Sequence, residues 1–482
     1  MGNKYDLIIV GMGPSAIFCA YELVKYNKHK NILLIDQGKR VEERKCPIET
    51  IGKCVKCEPF CSITNGFSGA GAFSDGKLSL YNPKDNDIYV GGNLHDYIGV
   101  EKTKKLMDYT DKIYLDLGAD RKLEGVGYKE EIAEISKKAE KEGIKLINIP
   151  IRHLGTEKSQ EIYKKMEEYL EEQGVEMLFD IVVQDLIIKD GKVLGVKVKE
   201  SKYIKDDEYE LQDIYSEKVV LAAGRKGANW IVEMCKTHNI KTETGVVDIG
   251  VRYELPDEIM KDVNKYMYEA KFAGRIGPFK DRVRTFCQNP SGFVSSEVYD
   301  NDLTLVNGHS YKEKKSTNTN LAILVSHHFT YPFDKPIGYG RNVAQNVNDL
   351  GAGNIVVQRL GDIHSGKRTW DHELESNSVV PTLKSAVAGD ITFALGYRTM
   401  VGILDFISAI DKVIKGFGNP QNLLYAPEIK FYSNKVIINE LFETSIKGLY
   451  SIGDGGGMTR GLMMASCSGV QMARNVLQEE FE

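Results

Sequence analysis

The sequence predicts an α/β protein into which an α+β domain is inserted. Three observations carry this. An apolar run, Tyr5–Val10, leads directly into Gly11-Met12-Gly13-Pro14-Ser15-Ala16 and an apolar helical pattern through Val24. From about 245 to 430 the texture changes to short β-like runs such as Leu321–Ser326 and Ile355–Arg359, with many aromatics. The first texture then returns with Val436–Ile438 and Gly448–Asp454, closing in a helix that runs from near Arg460 and Gly461 to about Leu477. Strand–turn–helix alternation at both ends with a β-rich interior is the pattern of an α/β domain interrupted by a second one.

At about 100–200 residues per domain, 482 residues give two to four structural units. Lys plus Arg number 63 and Asp plus Glu 68, a formal charge of −5. Nucleic acid is therefore not an expected partner, because phosphate binding rests on a basic face. Hydrophobic residues at 42% exclude disorder as the main state. No apolar run reaches the roughly 18–20 residues that cross a bilayer, and the N-terminus lacks the apolar core and cleavage site of a secretory signal. No membrane partner is expected, and the expected location is cytoplasmic.

The first element pair is the most specific. Gly11 permits a tight turn after the strand, and Gly13 lets the backbone approach a pyrophosphate. Ala16 allows close helix–strand packing, and Pro14 and Ser15 open a helix whose positive end faces phosphate charge. A second strand, Ile32–Ile35, ends in Asp36, 25 residues beyond Gly11, placed to accept a hydrogen bond from a ribose hydroxyl. Together these form a Rossmann-like dinucleotide-binding unit. Residues 40–95 read as a long ordered loop. Helices follow at about 101–116, 129–142 and 158–173, then strands 175–178, 182–188 and 193–198 around an Asp190-Gly191 turn, a charged excursion over 200–213, and the strand Val219–Arg225. The expected division is 1–245 for the first part of the dinucleotide-binding domain (40–95 its loop), 246–430 for the inserted substrate domain, and 431–482 for the returning part.

The first unit alone does not choose between nicotinamide and flavin. The strand V-V-L-A-A-G-R at Val219–Arg225 and G-L-Y-S-I-G-D at Gly448–Asp454 resemble the two-dinucleotide-binding-domain flavoproteins. Closer still, R-x-C-P (Arg44–Pro47), C-x-x-C (Cys54–Cys57), Gly66–Lys77, H-x-G-T (His153–Thr156), R-T-F-C (Arg284–Cys287) and Gly453–Leu462 are similar to one family of poorly characterised FAD-dependent dehydrogenases, over nearly the whole chain. That resemblance implies FAD. It places the ADP half on Gly11, Gly13, Pro14, Ser15, Ala16 and Asp36. Val183, Ala223, Gly224 and Arg225 would contact the cofactor from neighbouring strands. Gly453 and Asp454 would meet the ribityl side, and the helix opening at Arg460, Gly461 and Leu462 would point its positive end at the flavin pyrimidine ring. The implied activity is an FAD-dependent oxidoreductase passing a hydride between flavin N5 and a small-molecule substrate. Gly338-Tyr339-Gly340 and Gly416-Phe417-Gly418 lack the strand context of a second dinucleotide motif, so NAD(P)H as electron donor would dock only transiently.

The resemblance also places the loop ending at Lys77 along the flavin. Gly69, Ala70 and Gly71 offer bare backbone to a flat ring, and Ser74, Asp75 and Lys77 add a hydroxyl, a carboxylate and an ammonium. Lys77 or Arg460 is the expected catalytic cation beside the reduced ring; the alternative is a solvated turn at Asp75-Gly76-Lys77. Cys46, Cys54, Cys57 and Cys61 crowd within sixteen residues. Four thiolates suit zinc or an iron–sulfur cluster, a Cys54–Cys57 dithiol suits redox exchange, and inert thiols are the third alternative. The four residues between Cys61 and Gly66 span at most about 13–14 Å, so the sulfurs are expected to converge within reach of the flavin. A cluster would make the chain an electron-transfer protein with its own partner. A flavin-containing RNA-modification or RNA-binding protein is the alternative of another class, against which the −5 charge counts. Arg252 and Arg284 suit either a substrate carboxylate or domain ion pairs, and His327, His328 and His364 either a pocket acid or structure.

Overall fold

The computed structural model describes residues 5–26, 31–47, 57–74, 76–83, 88–243, 245–267, 269–299, 303–310, 314–329, 332–333, 335–431 and 434–478. The chain divides into two compact units, one of Met1–Leu123, Pro150–Glu243 and Ser433–Glu482, the other of Glu124–Ile149 and Thr244–Tyr432.

The first unit is built on a five-stranded parallel sheet. Its strands are β1 (Leu7–Val10), β2 (Ile32–Ile35), β3 (Glu176–Leu178), β4 (Val219–Leu221) and β5 (Leu449–Ser451), in the order β5-β4-β1-β2-β3. β1 and β2 are continuous apolar runs because both faces of a parallel sheet are covered, and every residue in them is buried. Register places Ile8 between Leu33 and Val219, and Val220 beside Tyr450. Four helices matter below: α1 (Pro14–Tyr26), α2 (Val100–Asp116), α3 (Thr156–Glu172) and α4 (Leu462–Gln478). α4 lies hard against α1, since a Cβ on Gly469 would come within 2.1 Å of the Ser15 carbonyl oxygen. Tyr114 of α2, Tyr163 of α3 and Ser466 of α4 meet in a buried hydroxyl chain, with O–O distances of 2.9 and 3.0 Å from Tyr114. The order is that of a Rossmann-like half, with the connection reversing between β1 and β4; in such sheets ligands bind in the crevice beyond the carboxyl ends at that reversal.

The second unit centres on an eight-stranded, mainly antiparallel sheet whose middle strands are Leu423–Phe431, Val247–Pro256, Asn318–His327 and Arg282–Asn289. One set of alternate side chains (Ile249, Val251, Tyr253, Leu255) enters the apolar core with Ile323, Val325 and the helix Tyr397–Asp411. The other set includes Asp248, Arg252 and Glu254, all buried. The edge strand Ile144–Asn148 pairs with Ala270–Gly274, so a segment remote in sequence completes this sheet. The α/β class with an inserted α+β body is the architecture that forms.

Candidate functional site

The Gly11–Ala16 turn, Asp36, Ala223–Arg225 and Gly453–Asp454 sit in the first unit, just beyond the carboxyl ends of β1, β2, β4 and β5 respectively. Gly11 follows β1 with φ +101, and a Cβ there would lie 2.8 Å from the Ala222 carbonyl oxygen. It is the residue that lets β1 turn against the end of β4. Gly13 is the opposite case: a Cβ would meet no atom within 4 Å. Its backbone therefore borders open space at the start of α1, where Pro14 occupies the first helical position and Ser15 and Ala16 are buried. Gly224, beyond Ala223 at the end of β4, and Gly461, before α4, border open space in the same way. Gly453 and Gly455 do not. Their Cβ atoms would fall 2.6 Å from Ser15 Oγ and 1.9 Å from the Ala223 carbonyl oxygen, which fastens the segment after β5 to α1 and β4.

Asp36 has a part the sequence did not show. Its Oδ2 accepts the Met12 amide at 2.9 Å, and its Oδ1 accepts the amides of Gly38 at 2.9 Å and Gly66 at 2.7 Å. A carboxylate has about four acceptor positions, so roughly one is left for a ribose hydroxyl. The acid first welds the Gly11–Gly13 turn to the loop that follows β2.

That loop is held by Arg44, a residue noted only within a motif of the resemblance. Its guanidinium reaches the carbonyl oxygens of Ser62, Ile63, Phe67 and Gly69 and the Ser68 hydroxyl. Gly69 is half-buried, Ala70 exposed, and Gly71 buried, with a Cβ position 3.1 Å from the Tyr163 ring and 3.2 Å from Leu462 Cδ2. The loop thus runs from the nucleotide turn to the start of α4. Ser74 spends its hydroxyl inside the turn, donating to the Gly71 carbonyl at 3.1 Å and accepting the Gly76 amide at 3.2 Å. Asp75 lies outside the described residues. Lys77 is half-buried in the strand Lys77–Ser79, opposite His153.

Asp454 follows β5. Its Oδ1 accepts the Thr459 hydroxyl at 2.8 Å, its Oδ2 accepts the Gly461 amide at 3.4 Å, and Arg225 Nε stands 3.9 Å away. Burial pushes its carboxyl up, opposed by the Arg225 charge and by these two hydrogen bonds. Arg460 is exposed just before α4, and its amide bonds the Gly91 carbonyl at 2.9 Å. Val183 lies in the strand Ile181–Lys189 with its side chain in the apolar cluster of Val10 and Ile35, leaving only its main chain to a ligand.

The cysteine expectation falls partly outside the described residues. Cys46 and Cys57 are half-buried, Cys61 is exposed, and all three are free thiols; Cys54 lies outside the described residues. Among the described residues no group of three or more His, Cys, Asp or Glu could hold a metal ion. The centre around which this segment folds is the Arg44 guanidinium, which draws the backbone carbonyls inward where a metal site would draw thiolates. In the second unit the arginines are taken by the protein's own carboxylates. Arg252, fully buried, grips Glu428 at 2.7 and 2.8 Å, and Arg284 reaches Asp248 at 2.5 Å. His327 bonds Thr399 Oγ1 at 3.0 Å; burial pulls its imidazole down, so it is neutral near neutral pH.

Whether these residues fit a dinucleotide is decided by the open positions. Gly13, Gly224 and Gly461 form bare backbone along one rim of the parallel sheet, between the N-termini of two long helices, and amide-rich positive ends suit a pyrophosphate. The residues fit. Residues 151–248 match a family model described as FAD binding domain, and 247–430 one described as FAD-dependent protein, C-terminal domain-like. A Clostridium beijerinckii protein carrying no functional description is 25% identical over 503 positions, covering 98% of this chain and 80% of its own. Similar solved structures include formate oxidase (TM-score 0.45, 10% identity, 100% of this chain and 99% of that one). They also include E. coli quinol fumarate reductase FrdA (0.42, 12%, 99% and 70%) and L-proline dehydrogenase from P. horikoshii (0.42, 13%, 99% and 95%). All three TM-scores lie below 0.5, so the fold described above rests on the chain's own strand order.

Proposed function

We propose that the chain is an FAD-dependent oxidoreductase whose first unit holds FAD along the Gly13–Gly224–Gly461 rim and serves a small-molecule substrate. The observation that carries this is the pairing of open glycine backbone with two helix N-termini at the strand-order reversal. FAD, when bound, supplies hydride transfer at its ring system.

The chain's own residues divide the remaining work. The amides at the start of α1 bind pyrophosphate, and the last acceptor position of Asp36 orients a ribose. Asp454 takes a ribityl hydroxyl, and the N-terminus of α4 sets a positive field at the ring. Gly69, Ala70 and Gly71 form a wall of low bulk that excludes water. Lys77 and Arg460 are the cations assigned to the reacting end. The reading carries a cytoplasmic location and a nicotinamide dinucleotide that docks transiently as electron donor.

The test is direct. Protein purified without added cofactor should be yellow, and heat should release FAD at about one per chain, as a single site requires. Release of FMN alone, or a colourless protein that takes up no FAD, overturns the reading. Anaerobic NADH or NADPH should bleach the visible absorption; an unchanged spectrum removes the nicotinamide donor and leaves the FAD assignment standing.

A further inference from the structure

The Ser62–Phe73 segment contains only one short helical turn, Gly71–Phe73, so regular secondary structure does not hold it. Arg44 does. All five guanidinium N–H groups are matched: Nε to Ser62 O at 2.7 Å, Nη1 to Phe67 O and to Ser68 Oγ at 3.2 Å, and Nη2 to Ile63 O at 2.7 Å and Gly69 O at 2.6 Å. The guanidinium carbon stands 4.4 Å from the Phe73 ring centroid, and the residue is 3% exposed. Among the described residues none of its hydrogen-bond acceptors is a carboxylate, so the charge is surrounded by neutral oxygens. Burial pulls the guanidinium down to about 10, opposed through space by Asp36, Cys61 and Glu167, and it stays protonated at neutral pH.

The loop so held is also bound to the nucleotide turn. Ser68, at φ +73, donates its amide to the Met12 carbonyl at 2.7 Å, while Asp36 accepts the amides of both Met12 and Gly66. A left-handed serine is strained and persists only where its surroundings over-determine it. A buried cation without a hydrogen-bonded anion is likewise unfavourable. Both features are accounted for if the loop must be rigid before a negatively charged ligand arrives.

We propose that Arg44 is the positioning residue of the FAD site: it pre-forms the Ser62–Phe73 loop as a wall of that site and keeps there a buried positive charge that favours a negatively charged ligand. This rests on the FAD reading above.

The experiment compares the wild-type full chain with Arg44→Lys, which keeps the charge and loses the planar five-donor fork, and Arg44→Met, which loses both. Hydrogen–deuterium exchange of the apoprotein reads the loop, titration reads FAD affinity, and the flavin midpoint potential reads the charge. In both variants the peptides over 61–73 should lose protection while those over β1 and β2 keep it. FAD affinity should fall about tenfold or more, the scale set by losing hydrogen bonds to a charged group. The potential should move to more negative values in Arg44→Met but not in Arg44→Lys. Wild-type loop protection in Arg44→Lys overturns the templating role, and that variant decides it even if Arg44→Met does not fold. Equal potentials in two folded variants overturn the charge. Should wild-type apoprotein take up no FAD, the FAD reading fails separately, and the exchange arm still judges Arg44.

Discussion

Asp36 shows how one side chain can hold more than its motif suggests. Because it accepts three backbone amides, Asp36→Ala should do more than loosen a nucleotide: it leaves the Met12, Gly38 and Gly66 amides without their acceptor. The expected result is a stability loss of about 2–4 kcal/mol in denaturant unfolding of the apoprotein, together with depleted FAD. Depleted FAD at unchanged stability would return the residue to a purely ribose-binding role. Asp454 gives a pH signature. Burial raises its folded carboxyl above the unfolded value, so the folded state holds the proton more tightly. Ionisation therefore opposes folding, and this contribution to apoprotein stability is lost as pH rises through the raised value. Asp454→Asn should remove that dependence, gaining on wild type as pH rises above the ordinary carboxylate range, with the gap closing below it. The same variant should purify poor in flavin; undiminished flavin counts against its place at the ribityl chain.

The β1–α1 element separates glycines that serve the fold from those that serve the ligand. Gly11→Ala places a Cβ 2.8 Å from a carbonyl oxygen at φ +101, and should destabilise the first unit by about 1–3 kcal/mol or prevent folding. The Cβ of Gly13→Val meets no atom within 4 Å, so the variant should unfold near the wild-type midpoint and yet purify colourless. A yellow Gly13→Val protein would sink the rim as the cofactor site. The G-x-G-x-x-A run, the acid ending β2 and the G-D after β5 were legible because each is local, a few adjacent residues with a fixed backbone task. The Arg44 hub was not legible, because its five acceptors lie 18 to 25 residues away and four of them are backbone carbonyls that any sequence supplies. The thiol spacing pointed the other way: crowding in sequence says nothing of direction in space, and the described sulfurs do not gather.

At the scale of the whole molecule, the second unit draws on two stretches of chain, Glu124–Ile149 and Thr244–Tyr432. Ile144, 1% exposed in its core, should therefore matter there: Ile144→Ala is expected to cost about 2–4 kcal/mol on unfolding. A change within about 0.5 kcal/mol, the size of an ordinary surface substitution, would remove this segment from that core. The amphipathic helix of this segment was visible in sequence, but the short strand after it and the allegiance of both were not, since an edge strand is claimed by whichever sheet offers it partners, here Ala270–Gly274. The sequence by itself determined the α/β class, the inserted body and the dinucleotide turn, because hydrophobic period and glycine placement act over a few residues. Only the tertiary structure decided that Asp36 spends most of its acceptors on the protein, that Arg44 organises the loop, and that Arg252 and Arg284 are committed to Glu428 and Asp248. The physical reason is common to all of these: hydrogen bonds and ion pairs in a folded chain join groups by distance in space, and sequence separation carries no record of it.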